Sequence, residues 1–284
     1  MRPVTLATCV LAACLGASMF GTDKPSSTAN SASWSGKAAA AAAYLDGRMV
    51  WWMGWKGAAR DHNTFCVSCH TVVPYAMARP ALRATLAEQA PSSTERQLLD
   101  NVTKRVRMWK EVEPFYPDEK RGVPKTAESR GTESILNAVI LVGYDVATGK
   151  LSPDARLALD NMWGQQLKTG EARGAWAWLQ FHNSPWEGDS QYYGAALAAI
   201  AVGSAPGNYQ AAPEIQDNMK LLREYLVQER ESQILINRMI LLWASMKVPG
   251  LLTPAQQKSI MDEALRADAK ITSQIWGERV VPVG

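Results

Sequence analysis

Apolar residues recur at three- and four-residue spacing along most of this chain. No run alternates apolar and polar as a half-buried strand would. Leu98, Val102, Val106 and Trp109 share one face of a helix predicted near 93–112, and Ser92 with Glu95 three residues on is a capping-box pair that would open it. Ile215, Met219, Leu222 and Leu226 form a second stripe. Residues 37–55 run from KAAAAAA into YLDGRMVWWMGW. The run GAALAAIAVG at 194–203 falls short of the roughly 20 residues a bilayer span needs, so it predicts a buried helix. Ser152-Pro153 and Thr253-Pro254 each place a capping residue before a proline at the first helical position, and Thr253 has Gln256 three residues on. Residues 113–131 are charged and contain proline, as a connection does.

Part of this pattern repeats. RGTESILNAVILVG (130–143) aligns with RESQILINRMILLW (230–243), matching Arg130 to Arg230, Asn137 to Asn237 and Ile140-Leu141 to Ile240-Leu241. The following Gly149-x-Leu-Ser-Pro aligns with Gly250-x-Leu-Thr-Pro. One helical hairpin cannot bury its own apolar face, so such a repeat predicts stacked helix pairs. Ile260, Met261, Ala264 and Leu265 then form an apolar stripe lacking a following pair, and the array is expected to be incomplete.

Residues 4–20 are apolar behind the single charge of Arg2, and read as an export signal rather than a membrane span. Gly16-Ala17-Ser18 fits an ordinary cleavage site, whereas Leu11-Ala12-Ala13-Cys14 fits a lipobox whose cysteine would carry the acyl anchor. Residues 21–36 are small and polar, as a flexible tether would be. The expected organisation is therefore an export signal over 1–20, a tether over 21–36, a cofactor-binding segment over 37–90 and an α/α-hairpin body over 91–284. The expected location is the periplasm, in solution or anchored to the membrane through Cys14.

The composition narrows the function. The chain has 284 residues, of which 47% are hydrophobic and 20% charged, enough for a sizeable core. A net charge of +3 gives no argument for nucleic acid. Lys104, Arg105, Arg107 and Lys110 form a basic stretch that reads as a docking face for an acidic partner or, given the acids interspersed nearby, more simply as a solvated helix face. Four cysteines, two of them in the leader, exclude a disulfide-stapled scaffold. Eleven Trp against four Phe point to large rigid side chains lining something.

The strongest chemical signal is Cys66-Val67-Ser68-Cys69-His70. C-x-x-C-H is the attachment motif of c-type haem. Two thiols at this spacing each form a thioether to one vinyl group, and the histidine after the second cysteine supplies the proximal imidazole. Haem attachment is extracytoplasmic, in agreement with the leader. A thioredoxin-like C-x-x-C would sit in a βαβ context, and no strands are predicted. A zinc site built from His62, Cys66, Cys69 and His70 would strain the adjacent Cys69 and His70. Met77, His62, Met108, Met162 and His182 are the candidates for the sixth iron position, with core filling as the ordinary reading of each methionine.

The second informative region is 163–201. Gln166 followed by Gly174-Ala175-Trp176 resembles the Q…G-x-W repeat of squalene-hopene cyclases and related α/α-toroid proteins, with a longer Gln-to-Gly spacing. In that repeat the Gln caps a helix end and packs on the Trp. Through FCVSCHTVVPYAMARPALR and PWEGDSQYYGAALAAIAVG, the chain resembles bacterial proteins that join a cytochrome c segment to such a toroid. The resemblance implies an all-α fold with a cytochrome c-like haem-binding segment and an incomplete toroid-like body. It does not extend to cyclase chemistry, because the acidic D-x-D-D run is absent. Glu187 and Asp189 are the acids of the Trp-rich loop, and they read as a pair that binds a cation or an alcohol or acts as acid and base or, more simply, as solvent-facing caps of the 190–203 helix. Trp176, Trp178, Phe181, Trp186, Tyr192 and Tyr193 read either as the lining of a cleft or as packed core.

The expectation is an exported monohaem c-type cytochrome that transfers electrons to or from an unidentified redox partner protein. Cys66 and Cys69 hold haem c and His70 ligates its iron. The alternative is a haem-dependent oxidoreductase acting on a hydrophobic, isoprenoid-like or carbohydrate ligand in the Trp-rich cleft.

Overall fold

A computed structural model describes residues 27–181 and 190–276, with side chains at 36–181 and 191–267. Residues 1–26, with Cys14 and the expected export signal, and residues 182–189, with His182, Trp186, Glu187 and Asp189, lie outside the described residues. Ten α-helices carry the described fold: α1 (Ser27–Gly54), α2 (Val72–Thr85), α3 (Ser93–Arg107), α4 (Asp118–Arg121), α5 (Lys125–Asp145), α6 (Pro153–Gly164), α7 (Ser190–Ser204), α8 (Gln216–Gln228), α9 (Leu235–Ser245) and α10 (Pro254–Trp276). The protein is all-α apart from an antiparallel ribbon of two residues per strand, β1 (Ala59–Arg60) and β2 (Thr64–Phe65).

Residues 27–36 belong to α1, although the sequence predicts a tether there. Extending a helix backward from the Ala-rich run adds one hydrogen bond per residue without a new nucleation cost, so small polar residues are drawn into it. Helix α5 likewise begins at Lys125, inside the expected 113–131 connection. Helix α3 ends at Arg107, earlier than expected, and Trp109 lies past its end with the Arg130 guanidinium 4.7 Å from its ring centre.

The caps read from sequence are formed. Ser92 Oγ accepts from the Glu95 N–H at 3.1 Å, and Glu95 Oε2 accepts from the Ser92 N–H at 2.8 Å. Ser152 Oγ accepts from the Ala155 N–H at 3.2 Å. Thr253 and Gln256 make the same reciprocal pair ahead of α10.

The two repeated segments form α5 and α9, which pack on α7. Helix α6 packs on α5, α8 on α7 and α10 on α9. Upstream, α1 packs on α2, and α2 and α3 pack on α5. The central helix α7 is apolar all round, with Tyr192, Ala195, Ala196, Leu197, Ala198 and Val202 buried. Its small residues set the distance to its neighbours. A Cβ on Gly194 would come within 2.3 Å of the Trp178 ring, and one on Gly203 within 2.7 Å of the Lys247 carbonyl oxygen. In the last pair Ile260 is buried, whereas Met261 and Leu265 face outward.

One core runs through the segments expected to be separate. Met49, Cys66 and Val72 belong to the same hydrophobic cluster as Leu98, Ile135, Leu197 and Ile260. Among the described residues, no helix is long and apolar enough to cross a membrane.

Candidate haem-attachment site

The C-x-x-C-H loop lies between the ribbon and α2, and polar contacts hold it from three sides. Asn101 on α3 grips the residue before the motif: its Oδ1 accepts from the Phe65 N–H at 2.8 Å and its Nδ2 donates to the Phe65 carbonyl at 3.1 Å. The Cys66 N–H donates to the Ala58 carbonyl at 2.8 Å. The Trp52 indole N–H, from α1, donates to the Cys66 carbonyl at 2.7 Å. Inside the motif, Ser68 Oγ accepts from the Thr71 and Val72 N–H groups at 2.9 and 3.3 Å, satisfying donors at the start of α2. His70 therefore occupies the turn that enters α2, and its side chain is exposed.

A buried ion pair supports the ribbon. Arg105 Nε donates to Glu133 at 2.5 Å, and both side chains are fully buried. Arg105 Nη1 also donates to Thr64 Oγ1 at 2.7 Å, and Nη2 to the Glu113 carbonyl at 2.8 Å. This corrects the sequence reading of Arg105 as part of a solvated basic face. Its neighbour Arg107 is exposed, and pairs with Asp154 at 2.7 Å. The turn between the strands holds Asp61, whose carboxylate accepts from the Glu113 N–H at 2.7 Å and from His62 Nδ1 at 2.8 Å. Partial burial would raise the pKa of Asp61, but these hydrogen bonds and the nearby Arg105 charge outweigh it and hold it below the usual value.

Each cysteine lies within electrostatic reach of a tyrosine that belongs to an aromatic pair. Cys66 is buried, and burial pushes its thiol up to about 11, with the Arg60 guanidinium pulling the other way. The Tyr116 hydroxyl is raised by its own burial and by the nearness of Cys66. Tyr116 meets Phe181 edge-on at 5.1 Å. Cys69 is half-buried and lies close to Tyr193, whose hydroxyl is pushed up to about 12 by burial and then by that thiol. Tyr193 meets Trp178 edge-on at 6.0 Å. The motif and the Trp-rich region, 124 positions apart between Cys69 and Tyr193, thus share one site.

Among the described residues no group of three or more His, Cys, Asp or Glu converges as a zinc site would. The buried Nε of Arg60 has no hydrogen-bond partner there, and Arg60 forms no ion pair among the described residues. A half-buried guanidinium with a spare donor beside Cys66 suits a group that brings carboxylates, as a haem does.

The other candidates separate. Met162 is fully buried under Trp176, in the core. His62 is exposed and pairs with Asp61. Met77 is partly buried against the core, and Met108 caps the end of α3. Trp176, Trp178 and Tyr192 are packed core, while Phe181 is 37% exposed.

The Gln166 and Trp176 pair is built as a unit. The two residues form a backbone bridge, Gln166 Nε2 donates to the Gly174 and Asn218 carbonyls at 3.0 Å each, and the Trp176 indole N–H donates to the Met162 carbonyl at 2.6 Å. The last bond caps the end of α6. Gly174 has φ +98°, and a Cβ there would come within 2.2 Å of the Leu221 carbonyl oxygen.

Asn101, Arg60, Tyr116 and Trp52 were not identified from sequence. Asn101 and Arg105 do carry a signal, since they sit at helical spacing among Leu98, Val102 and Val106, on an otherwise apolar face. No family model, curated protein or solved structure matches this chain.

Proposed function

We propose that the protein is an exported monohaem c-type cytochrome whose helical-hairpin body, of the toroid type, carries the haem segment. The observation that carries this reading is the C-x-x-C-H loop itself, fixed by Asn101 and Trp52, with Tyr116 within electrostatic reach of Cys66 and Tyr193 of Cys69. The bound group would supply one-electron exchange at iron.

The residues have separate tasks. Cys66 and Cys69 would form the thioethers and His70 would ligate iron. Cys66 is buried, so attachment would precede closure of the loop over it. Arg60 would pair a carboxylate, and the rings of Tyr116, Phe181 and Tyr193 would exclude water from one side. Export, required for attachment, rests on the apolar leader, and anchoring rests on Cys14.

A reduced-minus-oxidised spectrum of the exported protein, with and without carbon monoxide, tests the reading. A covalent haem with a spectrum indifferent to carbon monoxide supports electron transfer. A protein without haem ends the proposal, and a carbon monoxide shift moves it to an open, ligand-binding iron.

A further inference from the structure

The C-terminal end of α1 carries an aromatic surface next to the motif. Trp51 and Trp55 stack with ring centres 5.8 Å apart and planes 10° from parallel. They are 49% and 47% exposed, and Val50 beside them is exposed too. With Gly54 and Lys56 they line an open groove of about 540 Å³. An isolated exposed Trp needs no explanation, but two stacked ones flanked by Val50 form a patch.

Three features set this patch apart. First, it is seated: a Cβ on Gly57 would come within 2.5 Å of the Trp55 ring, so that indole lies flat on the Gly57 backbone. Second, its rim is basic. The Arg48 guanidinium lies 4.6 Å from the Trp51 ring centre, and the exposed Lys56 lines the groove. Asp46, one turn away, is engaged with Arg79 and Tyr75. Third, it connects to the motif. Trp52 lies 5.3 Å from Trp55 and 6.3 Å from Trp51, centre to centre, and its N–H donates to the Cys66 carbonyl.

We infer that Trp51 and Trp55, rimmed by Arg48 and Lys56, are the docking surface for an acidic redox protein, with Trp52 linking that surface to Cys66. The inference rests on the haem reading above. A haem held by Cys66, Cys69 and His70 would supply the one electron, its iron going from ferrous to ferric as a one-electron centre of the partner is reduced, with no bond formed or broken. An apolar centre with a charged rim suits a small, short-lived contact, in which complementary charge raises the encounter rate. The basic rim selects a partner with acidic groups around an apolar centre.

The test uses the haem-loaded full chain. Haem staining is read first; without haem the proposed function has failed and the docking test does not arise. Oxidation of the ferrous protein is then followed with ferricyanide, an anion, and with tris(phenanthroline)cobalt(III), a cation. Arg48→Glu with Lys56→Glu is expected to slow ferricyanide about tenfold and to speed the cobalt complex, with both effects fading at high salt. Lys220→Glu on α8 is expected to change neither rate. Trp51→Ser with Trp55→Ser is expected to slow both oxidants while the haem spectrum stays unchanged. Rates that ignore all these substitutions overturn the inference. So does binding of the wild-type protein, but not the Trp variant, to phosphatidylglycerol vesicles, because the patch then serves a lipid surface.

Discussion

Asn101 holds both backbone polar groups of Phe65, at 2.8 and 3.1 Å, and so fixes the strand end from which Cys66 projects. A helix side chain thereby completes a ladder that a two-residue strand cannot complete alone. The C-x-x-C-H loop is tied to α3 at this point, and the motif segment and the helical body share one core.

Asn101→Ala removes a buried partner from two backbone groups. The expected loss is about 1–3 kcal/mol in chemical denaturation, with faster hydrogen exchange at the Phe65 amide. Asn101→Asp should recover the bond to the Phe65 N–H only.

Glu133→Gln leaves Arg105 buried without its carboxylate, and should cost about 3–5 kcal/mol. Replacing both partners, Arg105→Met with Glu133→Leu, should cost much less, because no charge is then stranded. Thermal and urea unfolding of the three variants checks the ordering.

Much of the helical frame is legible in the sequence because caps and stripes are local. Ser92 with Glu95, Ser152-Pro153 and Thr253 with Gln256 each announce a helix that forms. The matching segments at 130 and 230 become α5 and α9, both packed on α7. The supports of the site are less legible because they are not local. Arg105 looks like one more surface cation beside Lys104 and Arg107 until Glu133, 28 residues on, is brought against it. The ribbon is too short to alternate. Tyr193 comes within electrostatic reach of Cys69 because α7 packs into the centre of the molecule, and the buried-helix pattern of 194–203 does not say which residues it will lie near.

Gly174→Ala should destabilise the protein by at least about 1–3 kcal/mol, since the residue combines φ +98° with a carbonyl oxygen where the methyl would sit. Gly164→Ala, in open space on α6, is the control and should be neutral or slightly stabilising. Denaturation midpoints compare the two.

The haem-free protein should lose stability at alkaline pH. Folding raises the Cys66 thiol from its ordinary value to about 11, so between roughly pH 9 and 11 the unfolded chain has released a proton that the folded one keeps. Stability is full below that window and falls through it, by on the order of 2–3 kcal/mol from Cys66. Tyr193 and Tyr209, both pushed up to about 12, extend the loss above pH 10 in the same direction. A thioether carries no proton, so the haem-loaded protein should lack the Cys66 part of the slope. Urea titrations at pH 7, 9 and 11 on both forms measure it.

The most direct measurement is the intact mass of the exported protein after expression in a host that attaches c-type haem, read beside a haem-stained gel. The account predicts one covalently bound haem per chain, absent from the Cys66→Ala/Cys69→Ala variant and retained, with an altered spectrum, in His70→Ala. A mature wild-type chain of unmodified mass, whether it carries zinc or nothing at Cys66 and Cys69, would contradict it.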